Sequence, residues 1–214
     1  LGSIYYAYPA PTEAPAPAPE GYEPFYISHY GRHGSRWMTD DVRYVAMVSL
    51  FDSLYHCSQL TALGQDVRLR LHRVWDDASG RSGNITPLGE RQHHDIAVRM
   101  YRNFPQVFHD SAVVDARSST SLRCAMSMSY FTDGLKEQNP ALRVSRRAYG
   151  EYMDYIAYTS PEGEAFSSEQ AAWRRDFHAF ERRMIRPVRL MESLFQHAEN
   201  FSEKQSADVM TSLY

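Results

Sequence analysis

The segment YISHYGRHGSRWM, residues 26–38, follows the β-forming residue Phe25 and places two arginines, two histidines and two glycines around the end of a short apolar run. Phe25, Tyr26 and Ile27 read as a strand, and Gly31 and Gly34 break it. Open α/β sheets gather their ligand sites at strand ends, so a polar loop in this position constrains the fold around it. The next segments agree with such a fold. A helix is expected from Asp41 to Leu54, with Val45, Val48 and Phe51 near helical spacing, and a second from about Leu60 to Trp75, ended by Gly80–Gly83. In NITPLGERQHHDIAVRM, Thr86 is a good N-cap and Pro87 suits the first helical turn. Val113 and Val114 suggest another short strand, and Ser118–Leu135 a further helix. The order β-α-α-α-β-α predicts a mixed α/β layer fold.

The ends differ from this middle part. Pro9–Pro19, PAPTEAPAPAP, alternates proline with small residues and favours an extended polyproline spacer, so residues 1–24 read as a leader. Residues 25–150 then read as an α/β core. Residues 151–214 read as a helical insertion, because Glu164–Phe201 carries charges and aromatics at helical spacing, with Pro187 as a break.

Composition narrows the function classes. A net charge of −3 offers no basic field for a nucleic-acid backbone, and no run approaches the ~20 apolar residues of a transmembrane helix. No signal segment stands at the front, and the opening Leu1 suggests a mature or partial product. Arginine supplies nearly all the positive charge, since Lys136 and Lys204 are the only lysines. Its planar fork suits bidentate phosphate binding. Cys57 and Cys124 have neither metal spacing nor a disulfide framework.

In RHGSR, Arg32, His33 and Arg36 would surround one point if the loop is tight. Histidine attacks phosphorus when one ring nitrogen is kept unprotonated, and arginines stabilise the charge that spreads over the phosphoryl oxygens. The alternative is a solvated turn whose arginines pair with carboxylates. A second stretch, VVDARSSTSLRCAMSMSYFTDGL, places Arg117 just past a candidate strand and Arg123 on the helix after it.

These two stretches, with TPLGERQ between them, resemble the histidine phosphatase superfamily, specifically the histidine acid phosphatase branch that contains phytases and multiple inositol polyphosphate phosphatases. The resemblance implies a central mixed, mostly parallel sheet flanked by helices, of phosphoglycerate mutase-like type, with a helical cap insertion. It implies His33 as the phosphorylated nucleophile, with Arg32, Arg36 and Arg117 as catalytic, substrate-binding clamp arginines. It also implies no metal or other cofactor, a small-molecule phosphate ester such as an inositol polyphosphate as substrate, and a periplasmic or secreted location. Oligomeric state is open.

Several residues receive structural readings instead. Arg123 is read as an ion-paired helix residue, His29 as a structural histidine, and His93 and His94 as a solvated helix face. Thr86 and Gly89 are explained by capping and turn formation.

The family's general acid is the point of departure. His197, Ala198 and Glu199 spell the HAE triplet of the inositol polyphosphate subgroup, but RLMESLFQHAENFSEKQ continues a helical pattern with no β-run before it. The chain therefore reads as the N-terminal part of a phosphomonoester hydrolase working through phosphohistidine. The competing reading is a non-catalytic or truncated phosphate-binding domain that lacks the acid.

Overall fold

The computed structural model describes residues 9–13 and 16–214. The leader's residues 1–8, 14 and 15 lie outside that range, and its described part contains no helix or strand. In chain order the elements are α1 (Val42–His56), α2 (Ala62–Ala78), α3 (Pro87–Asn103), β1 (Val113–Arg117), α4 (Leu122–Gln138) and β2 (Arg143–Arg147). Then follow α5 (Met153–Ile156), α6 (Pro161–Ser167), α7 (Trp173–Met184), α8 (Val188–Leu194) and α9 (Glu203–Leu213). They form two compact units, one of residues up to Trp37 with Gly83–Tyr158, the other of Met38–Ser82 with Thr159–Tyr214.

The first unit is a small α/β layer. β1 and β2 pair in parallel, with Val113 opposite Arg143 and Arg117 opposite Arg147. Parallel neighbours need a crossover, and α4 provides it. α3 packs along α4, and Ala97, Phe108, Leu135 and Leu142 form the core beneath them, with Val114 and Val144 contributed by the strands. α3 starts as its sequence dictates: the Thr86 hydroxyl accepts from the Gly89 amide, Pro87 occupies the first turn, and Arg102 lies in the last.

Two expectations for this unit change. Phe25, Tyr26 and Ile27 form no strand; Phe25 is 92% exposed, and no strand among the described residues lies beside them to complete a ladder. Only Ile27 packs onto the core. The sheet is accordingly two parallel strands, smaller than the central mixed sheet expected, and one of them, Arg143–Arg147, carries too many arginines to be legible as a strand.

The second unit is helical. Phe51, Leu60, Met191, Leu194, Phe195 and Val209 form its core, drawn from α1, α8, α9 and the segments beside them. α2 packs on both α1 and α8. The Ser202–Gln205 capping box starts α9, and Pro187 separates α7 from α8. α8 ends at Leu194, and Phe195 forms an isolated antiparallel bridge with Leu60. The HAE triplet therefore does not continue a helix: Ala198–Asn200 form a single 3-10 turn, and the exposed His197 and Glu199 pair with each other, Nδ1 to Oε1, at 3.1 Å.

Candidate functional site

The RHGSR loop is fastened by the N-terminal half of α3 and by α4. The Thr86 amide and hydroxyl both donate to the Ser35 carbonyl, at 2.8 and 3.1 Å. Gln92, one turn further along α3, accepts from the Ser35 amide at 2.9 Å and from its hydroxyl at 3.0 Å. From α4, the Ser127 hydroxyl accepts from the Gly34 amide at 3.1 Å and donates to the Arg123 carbonyl at 2.8 Å. Beyond the loop, Arg36 bridges to Ile85, and the Trp37 amide donates to Asn84. The sequence TP-x-G-x-x-Q thus does two jobs: it starts a helix, and it grips the loop.

The glycines act through proximity. Neither Gly31 nor Gly34 has a positive φ. A Cβ on Gly34 would stand 2.5 Å from the Gly89 carbonyl oxygen and 2.7 Å from its Cα, so two glycines are what let the loop and α3 touch. Gly34→Ala meets backbone on that side and is expected to destabilise the protein by about 1–3 kcal/mol or more. Gly31→Ala meets chiefly the His29 ring, which can swing away, and is expected to shift the unfolding midpoint far less. Denaturant titration of the two variants side by side checks the contrast.

His33 is half-buried at the centre of the loop. Its Nδ1 lies 2.8 Å from the Gly34 carbonyl oxygen. Because a carbonyl only accepts, that nitrogen carries the proton, and Nε2 keeps its lone pair. Burial lowers the pKa of His33, the Gly34 bond opposes this, and the positive charges of Arg123, Arg32 and Arg36 lower it further. The charged groups acting on the ring are all cations. Nε of both Arg36 and Arg123 is buried without a hydrogen-bond partner, whereas one Arg36 terminal nitrogen donates to the Trp37 carbonyl. An uncharged imidazole among three guanidinium groups is chemically suited to receive an anion.

The same arrangement can be compared with solved structures. The apo form of Bifidobacterium longum multiple inositol polyphosphate phosphatase matches with a TM-score of 0.51 at 20% identity, over 63% of this chain and 28% of that one. Its complex with phosphate matches with a TM-score of 0.59 at 16% identity, over 88% of this chain and 46% of that one. The chain shares the fold of these phosphatase structures over the matched part. The complex with inositol hexasulfate matches with a TM-score of 0.50 at 20% identity, over 63% and 29% of the two chains. The chain thus spans less than half the length of these proteins. No sequence-family model and no curated protein matches the chain.

Within this fold, the charges of Arg32, Arg36 and Arg123 act on His33, the last from a residue that the sequence alone suggests is a structural ion-pair residue. Arg117 has other partners. It is half-exposed, pairs with Asp115 at 2.8 Å and lies over the Tyr152 ring. Of the two arginines of RSSTSLR, Arg117 is ion-paired at the surface, whereas the charge of Arg123 acts on His33. The signal that distinguishes them is helical position, since Arg123 is one turn before Ser127 on α4, the residue that holds the Gly34 amide.

His93 also differs from its expected solvated setting. It is 7% exposed, and burial lowers its pKa, partly opposed by the Arg32 backbone. His94 does lie at the surface, between Asp95 and Glu137. His29 stacks on Phe131 with ring centroids 4.9 Å apart. Among the described residues, no group of three or more His, Cys, Asp or Glu side chains is placed to share a metal ion, and no helix is long and apolar enough to cross a membrane.

Burial lowers the pKa of His29, His33 and His93 alike. A histidine depressed in the folded state leaves the unfolded chain to take up its proton first, so stability is lost as pH falls from 6.5 through the folded values. His94, raised chiefly by Glu137 and then Asp95, acts in the opposite sense, but at an exposed site where solvent screens it. The melting temperature is therefore expected to fall between about pH 7 and pH 5. Differential scanning calorimetry across that interval checks it, and a flat profile would contradict the lowered pKa values of these rings.

Proposed function

We propose that the RHGSR loop is a phosphoryl-transfer site, with His33 Nε2 as the nucleophile and Arg32, Arg36 and Arg123 binding the non-bridging oxygens. Arg117, the sequence-based choice for the third arginine, is not part of this proposal. The observation that carries it is the His33 ring, held through Nδ1 on the Gly34 carbonyl, with the charges of Arg123, Arg32 and Arg36 acting on it. In the first step Nε2 attacks phosphorus and the ester oxygen leaves with the bonding electrons; water then attacks the phosphohistidine and releases inorganic phosphate. A lowered pKa keeps Nε2 unprotonated into mildly acidic solution, so the acid limb of the rate profile belongs below pH 6.5.

The fold neighbours support a phosphomonoester substrate, since one was solved with phosphate and another with inositol hexasulfate. An inositol polyphosphate is the substrate class proposed, with a location in the periplasm or outside the cell. Its poor alkoxide leaving group needs a proton donor, whereas an activated aryl ester does not. Among the described residues, no carboxyl group is among the charges acting on His33. This 214-residue chain is accordingly proposed to turn over activated esters.

The test is phosphate release from p-nitrophenyl phosphate and from phytate, with acid-labile phosphate on His33 mapped by mass spectrometry after quenching at high pH. Release from the aryl ester with His33 labelled supports the reading, and release from phytate as well would place a proton donor within the chain. Absence of both label and release would overturn the catalytic reading in favour of a phosphate-binding domain.

A further inference from the structure

We infer that Gln92 is a positioning residue for His33: it locks the Gly34–Ser35 peptide in the orientation whose carbonyl draws the His33 ring proton onto Nδ1 and leaves Nε2 bare.

One peptide plane links the two residues. Its carbonyl, that of Gly34, lies 2.8 Å from His33 Nδ1. Its N–H, that of Ser35, donates to Gln92 Oε1 at 2.9 Å. The two groups of a trans peptide point to opposite sides, so these contacts stand or fall together. A half-turn of the plane would carry the N–H toward His33. Nδ1 would then have to accept, its proton would move to Nε2, and the attacking lone pair would be lost.

Such a turn meets little steric resistance at a glycine, and the close approach to Gly89 requires one at position 34. The peptides on either side are anchored elsewhere: the Gly34 amide donates to Ser127 Oγ at 3.1 Å, and the Ser35 carbonyl accepts from the Thr86 amide at 2.8 Å. Gln92 holds the plane between them. A backbone N–H only donates, so the side-chain oxygen and not its nitrogen must face Ser35, and the Ser35 hydroxyl donates to that same oxygen at 3.0 Å. After a half-turn Oε1 would meet the Gly34 carbonyl, acceptor against acceptor, with both left unpaired.

The role in turnover rests on the proposed phosphate site, whereas the choice of tautomer is measurable without it. The full chain, with its histidines isotopically labelled, is compared with Gln92→Met, which fills the space without an acceptor, and Gln92→Glu, which keeps one. Imidazole nitrogen shifts, recorded by NMR at a pH where the ring is neutral, read the tautomer. In the parent and in Gln92→Glu the proton is expected on Nδ1, and in Gln92→Met mainly on Nε2, a change of at least about tenfold in the tautomer ratio. Retention of Nδ1–H in Gln92→Met, or its equal loss in both variants, would overturn the inference.

Should Gln92→Met fail to fold, Gln92→Asn takes its place with the same expected change, since its oxygen stops one methylene short of Ser35. A parent chain whose His33 proton sits on Nε2 would overturn the inference without any variant. Steady-state kinetics on p-nitrophenyl phosphate then reads the consequence. In Gln92→Met, kcat is expected to fall at least about fivefold while inorganic phosphate binds within about threefold of the parent affinity, and Gln92→Glu is expected to recover most of kcat. A shifted tautomer with unaltered kcat would remove His33 as the nucleophile and overturn the positioning role with it. If the parent releases no phosphate, the proposed function fails, and the nitrogen shifts still decide whether Gln92 sets the tautomer.

Discussion

His33→Ala is expected to abolish turnover of p-nitrophenyl phosphate, a fall of about 10⁴-fold or more, while phosphate still binds within about tenfold of the parent affinity. The two parts of this result have different origins. Turnover requires the Nε2 lone pair, which exists because Nδ1 carries its proton to the Gly34 carbonyl. Binding depends mainly on the guanidinium groups, and alanine at position 33 leaves those in place. The loop itself is held by Thr86, Gln92 and Ser127 through backbone groups of Gly34 and Ser35, none of which the substitution removes. A variant that loses phosphate binding as completely as turnover would mean that the imidazole builds the loop. One that retains turnover would place the nucleophile elsewhere.

The second large effect separates two arginines six residues apart. Arg123→Ala is expected to lower kcat/KM by about 10²–10³-fold, the range found when one preorganised donor to a developing anion is deleted. Arg117→Ala is expected to change it by no more than about threefold, since an exposed pair contributes little. The physical difference lies in what each side chain already satisfies. Arg117 donates to Asp115 at 2.8 Å in water-accessible surroundings, where Arg147 reaches the same carboxylate at 3.3 Å. Arg123 is half-buried on α4, its Nε has no partner, and among the arginines acting on His33 it has the largest effect. Arg123→Lys keeps the charge but loses the planar fork, so an intermediate loss is expected. Steady-state kinetics on the activated ester measures all three. A larger loss in Arg117→Ala than in Arg123→Ala would restore Arg117 as the third clamp arginine.

Local signals in the chain are sufficient wherever the physics is local. Capping by Thr86 and Pro87, the helical spacing of Val45, Val48 and Phe51, the proline break at 187 and the strand at Val113–Val114 depend on neighbours a few residues away, and each element forms where that chemistry puts it. The RHGSR motif likewise marks Arg32, His33 and Arg36 through residue type and spacing alone. Failure begins where a partner distant in sequence decides the outcome. Phe25–Ile27 has the composition of a strand, but a strand exists only with a neighbour to share its ladder. Arg143–Arg147 has a poor strand composition and forms one because α4 returns the chain beside β1.

The same distinction runs through the site. Sequence by itself determined the residue types, a nucleophilic histidine flanked by arginines and glycines, because those are properties of a five-residue string. Tertiary structure alone decided which further residues join them. Packing of α3 along α4 sets Arg123 among the charges acting on His33, leaves Arg117 at the surface, buries His93 and makes Gly34 and Gly89 a contact. It also gathers α1 and α2 with α8 and α9 into one helical core across more than a hundred intervening residues. Periodicity gives each helix its apolar face, but the choice of which faces meet is a property of the whole chain's burial and is not written in any one segment.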